Sequence, residues 1–325
     1  MNRRSFLALT AGVSLATELP AISGELDASI PIIDTHIHLF DTNRSQGVPW
    51  PEKSDKILYK PALPERYRSI AGRLGIKGAI AVEASSWLED NRWVLDIAAR
   101  DKIIVGVIGN LEPGKPDFGK QLERFQAYPL FRGIRYGNLW GHDIGARLEN
   151  AGFISDLKSL AGAGMVLDTA NPNPALLSAI VKLTDKVPDL KVVIDHLPQM
   201  AIPEDKTVYK SCQADLQEIG QRPKVYVKIS EVLRRENGQI PTLLDFYRAR
   251  LDNIYGIFGE NRLLYGSDWP NSDQWLPFED GLKLVQSYFK GKGHTVAEKY
   301  FWKNSVTVYG WEKREDGQPE KPYKN

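Results

Sequence analysis

The chain reads as a closed α/β barrel of eight parallel strands, each followed by a helix: a (β/α)8 architecture of the TIM type. Three observations predict it. Short apolar runs recur eight times, and each ends in polar or charged residues. The runs are continuous rather than alternating, as expected of strands buried on both faces of a parallel sheet. Amphipathic stretches long enough for crossover helices lie between them, which argues for βαβ units. Length agrees, because such a barrel takes about 250 residues and the chain has 325. No Gly-x-Gly-x-x-Gly follows an early strand, so a dinucleotide-binding sheet loses its main support.

In order, the strands are expected at 32–38, 77–85, 103–111, 131–136, 164–170, 191–196, 224–230 and 262–268. The clearest helical stretches are 64–74, 87–100, 173–187 and 241–258. The polar, aromatic segment 41–61 is expected to lie over the barrel mouth as a partial lid. A second irregular stretch, 197–209, follows the sixth strand. Ahead of the barrel, Arg3 and Arg4 directly precede an apolar run, 6–16, in the manner of a twin-arginine export signal. That run is shorter than the roughly 20 residues of a spanning helix. Residues 1–25 are therefore read as a leader directing the chain to the periplasm or the exterior. Residues 26–325 are read as the barrel domain, with a frayed tail over 312–325.

Composition excludes several partners. There are 42 basic and 41 acidic side chains, a net charge of +1. Nothing here suits nucleic acid or stable association with an anionic membrane. The single cysteine, Cys212, has no partner for an internal disulfide and is read as a small side chain near a helix. The expected partner is a small molecule; a homo-oligomer is compatible with the sequence.

Barrel enzymes place their chemistry at the carboxyl ends of the strands. The polar residues there are Asp34, His36, His38, Glu83, Asn110, Glu112, Arg135, Asp168, Asp195, His196, Lys228 and Asp268. His36 and His38 are two apart on an extended segment, so their rings share a face and can converge on one divalent metal ion. His196 is a third ligand or a donor to substrate. His142 and His294 are read as surface residues. Asp268 ends the eighth run. A buried carboxylate there needs a partner; beside a metal it can bind the ion and take a proton from water. The competing reading is a helix cap before Trp269-Pro270.

These segments carry a resemblance. Ile33-Asp34-Thr35-His36-Ile37-His38-Leu39, Asp195-His196-Leu197-Pro198 and Gly266-Ser267-Asp268-Trp269-Pro270 resemble the amidohydrolase-related (type 2) family. The nearest branch is that of the sugar-lactone and pyrone-dicarboxylate lactonases. Gly133-Ile134-Arg135, residues 225–230 and residues 304–309 match that branch too. The resemblance covers roughly residues 30–311. It implies a distorted, metal-dependent-hydrolase-like barrel that hydrolyses a small oxygenated cyclic ester, with His36, His38, His196 and Asp268 in the site. Two departures stand out. Asp168 ends the fifth strand where metal-rich relatives carry histidine, and the usual Lys-Leu-Ser-Gly has become Lys228-Ile229-Ser230-Glu231.

Glu83 either completes a metal shell or pairs with Arg135 or Lys228. Arg135 is a candidate for substrate carboxylate or hydroxyls through its planar fork, or a rim salt bridge; Lys228 is similar. Trp50, Trp87, Trp140, Trp269 and Trp275 fall near post-strand loops, where rings suit a sugar-like substrate. The expected mechanism has His36, His38 and Glu83 or His196 holding a divalent ion, zinc by preference. Asp268 then serves as proton carrier, while Arg135, Lys228 and His196, with Trp269 beside them, contact substrate. Without a metal, the histidines would polarise the carbonyl directly. Two other readings remain: a non-oxidative decarboxylase of aromatic or unsaturated acids, and a non-catalytic periplasmic binding barrel. Residues 41–61 and 197–209 are expected to choose the substrate.

Overall fold

The structure, a computed structural model, describes residues 30–321; the expected leader lies outside them. Eight parallel strands follow one another around a single sheet in the order β1 to β8. They are β1 Ile32–His38, β2 Ile76–Val82, β3 Ile104–Gly109, β4 Phe131–Arg135, β5 Val166–Asp168, β6 Lys191–Ile194, β7 Val225–Ser230 and β8 Leu263–Gly266. Every residue of β1, β3, β7 and β8 is buried, which explains their unbroken apolar character.

The outer layer contains α1 Pro64–Ala71, α2 Asp90–Arg100, α3 Phe118–Gln126, α4 Ala151–Gly162, α5 Pro174–Lys186, α6 Lys206–Gly220, α7 Leu244–Phe258 and α8 Phe278–Lys292. Their starts are marked locally. Asn150 accepts from Phe153 N, and Asn173 accepts from Leu176 N with a proline at the first helical turn. Each cap satisfies an amide that the helix itself cannot. Among the described residues, no helix is long and apolar enough to cross a membrane.

Closure between β1 and β8 is made largely by single bonds rather than by a regular ladder. Ile37 bridges Trp269 in parallel. Around that bridge, Asp268 N donates to His36 O (2.9 Å) and His38 N donates to Trp269 O (2.7 Å). Side chains complete the seam. Thr35 Oγ1 donates to Tyr265 O (2.6 Å), and Ser267 N donates to Asp34 Oδ1 (2.8 Å). Tyr67 Oη donates to Asp34 Oδ2 (2.8 Å), tying α1 to the same point. Gly266 permits the approach: a Cβ there would lie 2.8 Å from His36 Cβ.

The tail is corrected. Over residues 312–321 it is seated rather than frayed. Arg314 Nη1 donates to the carbonyls of Ala98 and Ile104, and Gln318 is buried with its amide donating to Lys102 O. Trp311, fully buried, anchors the entry to this segment.

Replacing Gly266 with alanine is expected to lower stability by about 1–3 kcal/mol through overpacking at the seam. Glycine at 256, in exposed helix with open space around it, should instead tolerate alanine or gain a few tenths of a kcal/mol. Thermal unfolding of both variants checks this.

Candidate active site

Strand β1 places His36 and His38 at the barrel mouth, and the seam brings Asp268 against them. His38 Nε2 lies 3.0 Å from Asp268 Oδ1, His36 Nε2 lies 3.4 Å from the same oxygen, and the two Nε2 atoms are 3.3 Å apart. Two ligand atoms each about 2.1 Å from one tetrahedral ion lie about 3.4 Å apart, so these three donors have ligand spacing. His38 Nδ1 lies 3.0 Å from Val82 O, an acceptor, which puts the ring proton on Nδ1 and frees Nε2. His36 Nδ1 stands between Lys228 Nζ (3.3 Å) and Asp195 Oδ2 (3.5 Å), with its Nε2 turned toward the group. His196 stands beside the group, its Nε2 3.8 Å from Asp268 Oδ1 and its Nδ1 2.9 Å from Ser230 Oγ.

The local charge suits a cation. Burial, together with the charges of Lys228, the other two histidines and Arg135, pushes His36 well below the usual imidazole range. Burial likewise pushes His196 down to about 4. Burial tends to raise Asp268, but the neighbouring His196 and His38 and the Asn271 amide hold it down to about 2. His36 and His196 are therefore neutral and Asp268 ionised at neutral pH, the forms that bind a metal. Nearby carboxyls are crowded: burial raises Asp195 to about 7, with the Asp168 charge adding, and Glu231 to about 8, with Asp268 adding.

Beneath the histidines lies a sealed ionic layer. Lys228, fully buried, places Nζ 2.6 Å from Asp168 Oδ2, 3.0 Å from Asp195 Oδ1 and 3.3 Å from His36 Nδ1. Burial alone would strip its proton; the two carboxylates reverse that and raise its pKa above the ordinary value. Tyr309 Oη caps Asp168 (3.0 Å). Lys228 thus sits below the floor rather than in contact with the mouth, which corrects its expected substrate-binding place. Glu83 is corrected as a metal ligand. It receives Arg135 Nε (2.7 Å), Trp140 Nε1 (3.0 Å) and Ser85 N (3.0 Å), and belongs to none of the three potential ion-holding clusters among the described residues.

Above the cluster opens a cavity of about 280 Å³ lined by His38, Trp50, Arg135, Trp140, His196, Glu231 and Asp268, among others. Trp269 does not line it. Its ring is fully buried against Tyr67, 5.2 Å between centroids, under Arg66. Its backbone, not its indole, serves the site. Of the expected loops, 41–61 supplies Trp50 to the lining, while 197–209 supplies nothing. Leu139 and Trp140, after β4, take its place. His294 is exposed as expected, and His142 is half-buried, stacked on Tyr136.

An Amidohydrolase family model matches residues 33–311. The chain belongs to the amidohydrolase family. An L-fucono-1,5-lactonase from Burkholderia ambifaria is 28% identical over 248 residues, covering 74% of this chain and 80% of that one. Two solved structures share the fold. An amidohydrolase from Burkholderia multivorans with bound zinc has a TM-score of 0.75 at 21% identity, over 86% of this chain and 99% of that one. A putative 2-pyrone-4,6-dicarboxylic acid hydrolase from Pseudomonas putida has a TM-score of 0.66 at 19% identity, over 86% and 98%.

Sequence reasoning assigned no site role to Asp168, Asp195, Glu231 or Asn271. The first two were visible as strand ends. Glu231 was visible only as a departure from the family's glycine, and Asn271 carried no signal.

Two outcomes are expected. Lys228→Met leaves Asp168 and Asp195 buried without their cation and should cost about 3–5 kcal/mol in denaturant unfolding. His196 is neutral in the fold well below the pH at which the unfolded chain takes up its proton. Stability it contributes above pH 6.5 is therefore lost as pH falls toward 4. The decline from pH 7 to 5 should shrink by about 2 kcal/mol in His196→Gln, read from unfolding at both values.

Proposed function

We propose that this amidohydrolase cleaves the ester bond of a small lactone with activated water. The observation that carries the reading is the His36–His38–Asp268 triangle, 3.0–3.4 Å on each side, opening into a cavity of small-molecule size. The lactonase relative supports the ester class. Zinc is the proposed ion, since two imidazoles and a carboxylate suit it; His36, His38 and Asp268 would hold it, with His196 adjacent. A bound zinc ion supplies electrophilic polarisation and makes a water easier to deprotonate.

Asp268, ionised at neutral pH, removes the water proton as the water oxygen bonds to the carbonyl carbon. Asn271 Nδ2 holds the other carboxylate oxygen (2.6 Å), which keeps Oδ1 on the histidine side. Arg135 Nη1, 3.5 Å from His36 Nε2, presents positive charge to the developing oxyanion, while Glu83 fixes the rest of the guanidinium. When the ring C–O bond breaks, Asp268 passes the proton to the departing alkoxide. One water is consumed and one hydroxy acid formed. His196, neutral, is placed to hold a substrate oxygen. Export as a folded protein belongs to the same reading, supported by Arg3-Arg4 before the apolar run 6–16.

Purified protein should contain about one zinc per chain and release acid from lactones, without releasing carbon dioxide from aromatic acids. Asp268→Asn should fold and lose about 10²- to 10⁴-fold in kcat. His36→Ala and His38→Ala should lose the metal. Carbon dioxide release with no lactone hydrolysis would replace this reading by a decarboxylase.

A further inference from the structure

The mechanism above leaves Glu231 unused. It directly follows β7 with φ 49°, in the left-handed region that a side chain rarely adopts. Such a conformation persists only where the surroundings impose it. Here the imposing contacts are Trp275 Nε1, which donates to Glu231 Oε1 (2.8 Å), and Asn271 Nδ2, which lies 3.5 Å from the same atom. The other oxygen has no donor within hydrogen-bond distance among the described residues. His196 Nδ1 stands 4.0 Å from Oε2 and pairs instead with Ser230 Oγ (2.9 Å). Glu231 is only 13% exposed, and it lines the catalytic cavity. One oxygen is pinned and the other is left for whatever fills the cavity.

The rest of the lining is matched to it. Trp50 and Trp140 line the cavity with rings, and the amides of Asn171 and Asn271 that also line it donate to Asn138 O and Asp268 Oδ2. Most cationic donors are committed elsewhere. Arg135 spends Nε and Nη2 on Glu83, and Lys228 is sealed between Asp168 and Asp195. A substrate carboxylate would find Arg135 Nη1 as the one open cationic donor of the lining and would face the ionised Asp268. A hydroxylated ring would find acceptors.

We propose that Glu231 determines specificity: its free oxygen hydrogen-bonds ring hydroxyls of a neutral, polyhydroxylated lactone. The assignment rests on the lactonase reading and deepens it. Losing one such side-chain hydrogen bond costs about 3- to 10-fold in binding.

Three substrates test it in the full chain loaded with zinc: L-fucono-1,5-lactone, 2-pyrone-4,6-dicarboxylate and an unsubstituted δ-lactone. Glu231→Gly, which removes the group and suits the positive φ, should lower kcat/KM for the hydroxylated lactone about 3- to 10-fold, chiefly through KM. It should leave the unsubstituted lactone and the dicarboxylate unchanged. Glu231→Ala, which also removes the group, should shift the ratio in the same direction and covers the case of a poorly folding glycine variant. Equal losses on all three substrates, or an unchanged ratio in both variants, would overturn the assignment while leaving lactone hydrolysis standing. Hydrolysis of none of the three by the parent chain would overturn both.

Discussion

The seam between the first and last strands is the constraint on which the site depends. A regular ladder would carry β1 and β8 side by side along their length. Instead, Thr35, Asp34 and Ser267 bond across with side chains, and the backbone pairs of His36 with Asp268 and His38 with Trp269 close the mouth. Those two pairs join four residues, and the side chains of three of them, His36, His38 and Asp268, build the donor triangle. Barrel closure and ligand geometry are therefore one event. Chain ends more than two hundred residues apart must meet before either exists, which places the site among the long-range contacts of the fold.

The second organising feature is charge stored in layers. Lys228 with Asp168 and Asp195 forms a floor with no solvent access, Arg135 with Glu83 forms one wall, and the histidines with Asp268 lie between. Buried ions are costly unless each is paired. The pairing here is nearly complete, yet neither Asp195 oxygen receives a well-directed hydrogen bond despite the nearby ammonium. That carboxylate is the floor's least satisfied member, and it faces His36.

Much of this was legible in the sequence. All eight strands fell where continuous apolar runs ended in polar residues, because parallel strands buried on both faces leave that signature. The His-x-His pair and Asp268 were legible because a two-residue period and the strand-end rule fix both face and height. Depth and direction were not legible. Arg135 is the last residue of β4, whereas Lys228 stands two residues before the end of β7, and that step separates a side chain at the mouth from one in the floor. Trp269 follows Asp268 directly, but the left-handed φ of 60° at Asp268 turns the chain so that the indole leaves the cavity. The seating of the tail depends on Arg314 finding carbonyls more than two hundred residues earlier, which no local pattern announces.

The backbone just after each of the last four strands carries one further implication. Asn171, His196, Glu231 and Asp268 all have positive φ, between 47° and 60°, and all line the cavity. A mutation at any of them is filtered first by the backbone and only then by chemistry. Glycine, asparagine and aspartate pass that filter easily, whereas valine, isoleucine and threonine do not. Drift at this rim is thus confined to a narrow alphabet, so natural variation in substrate choice would have to come from exchanging short polar groups for one another or for nothing at all.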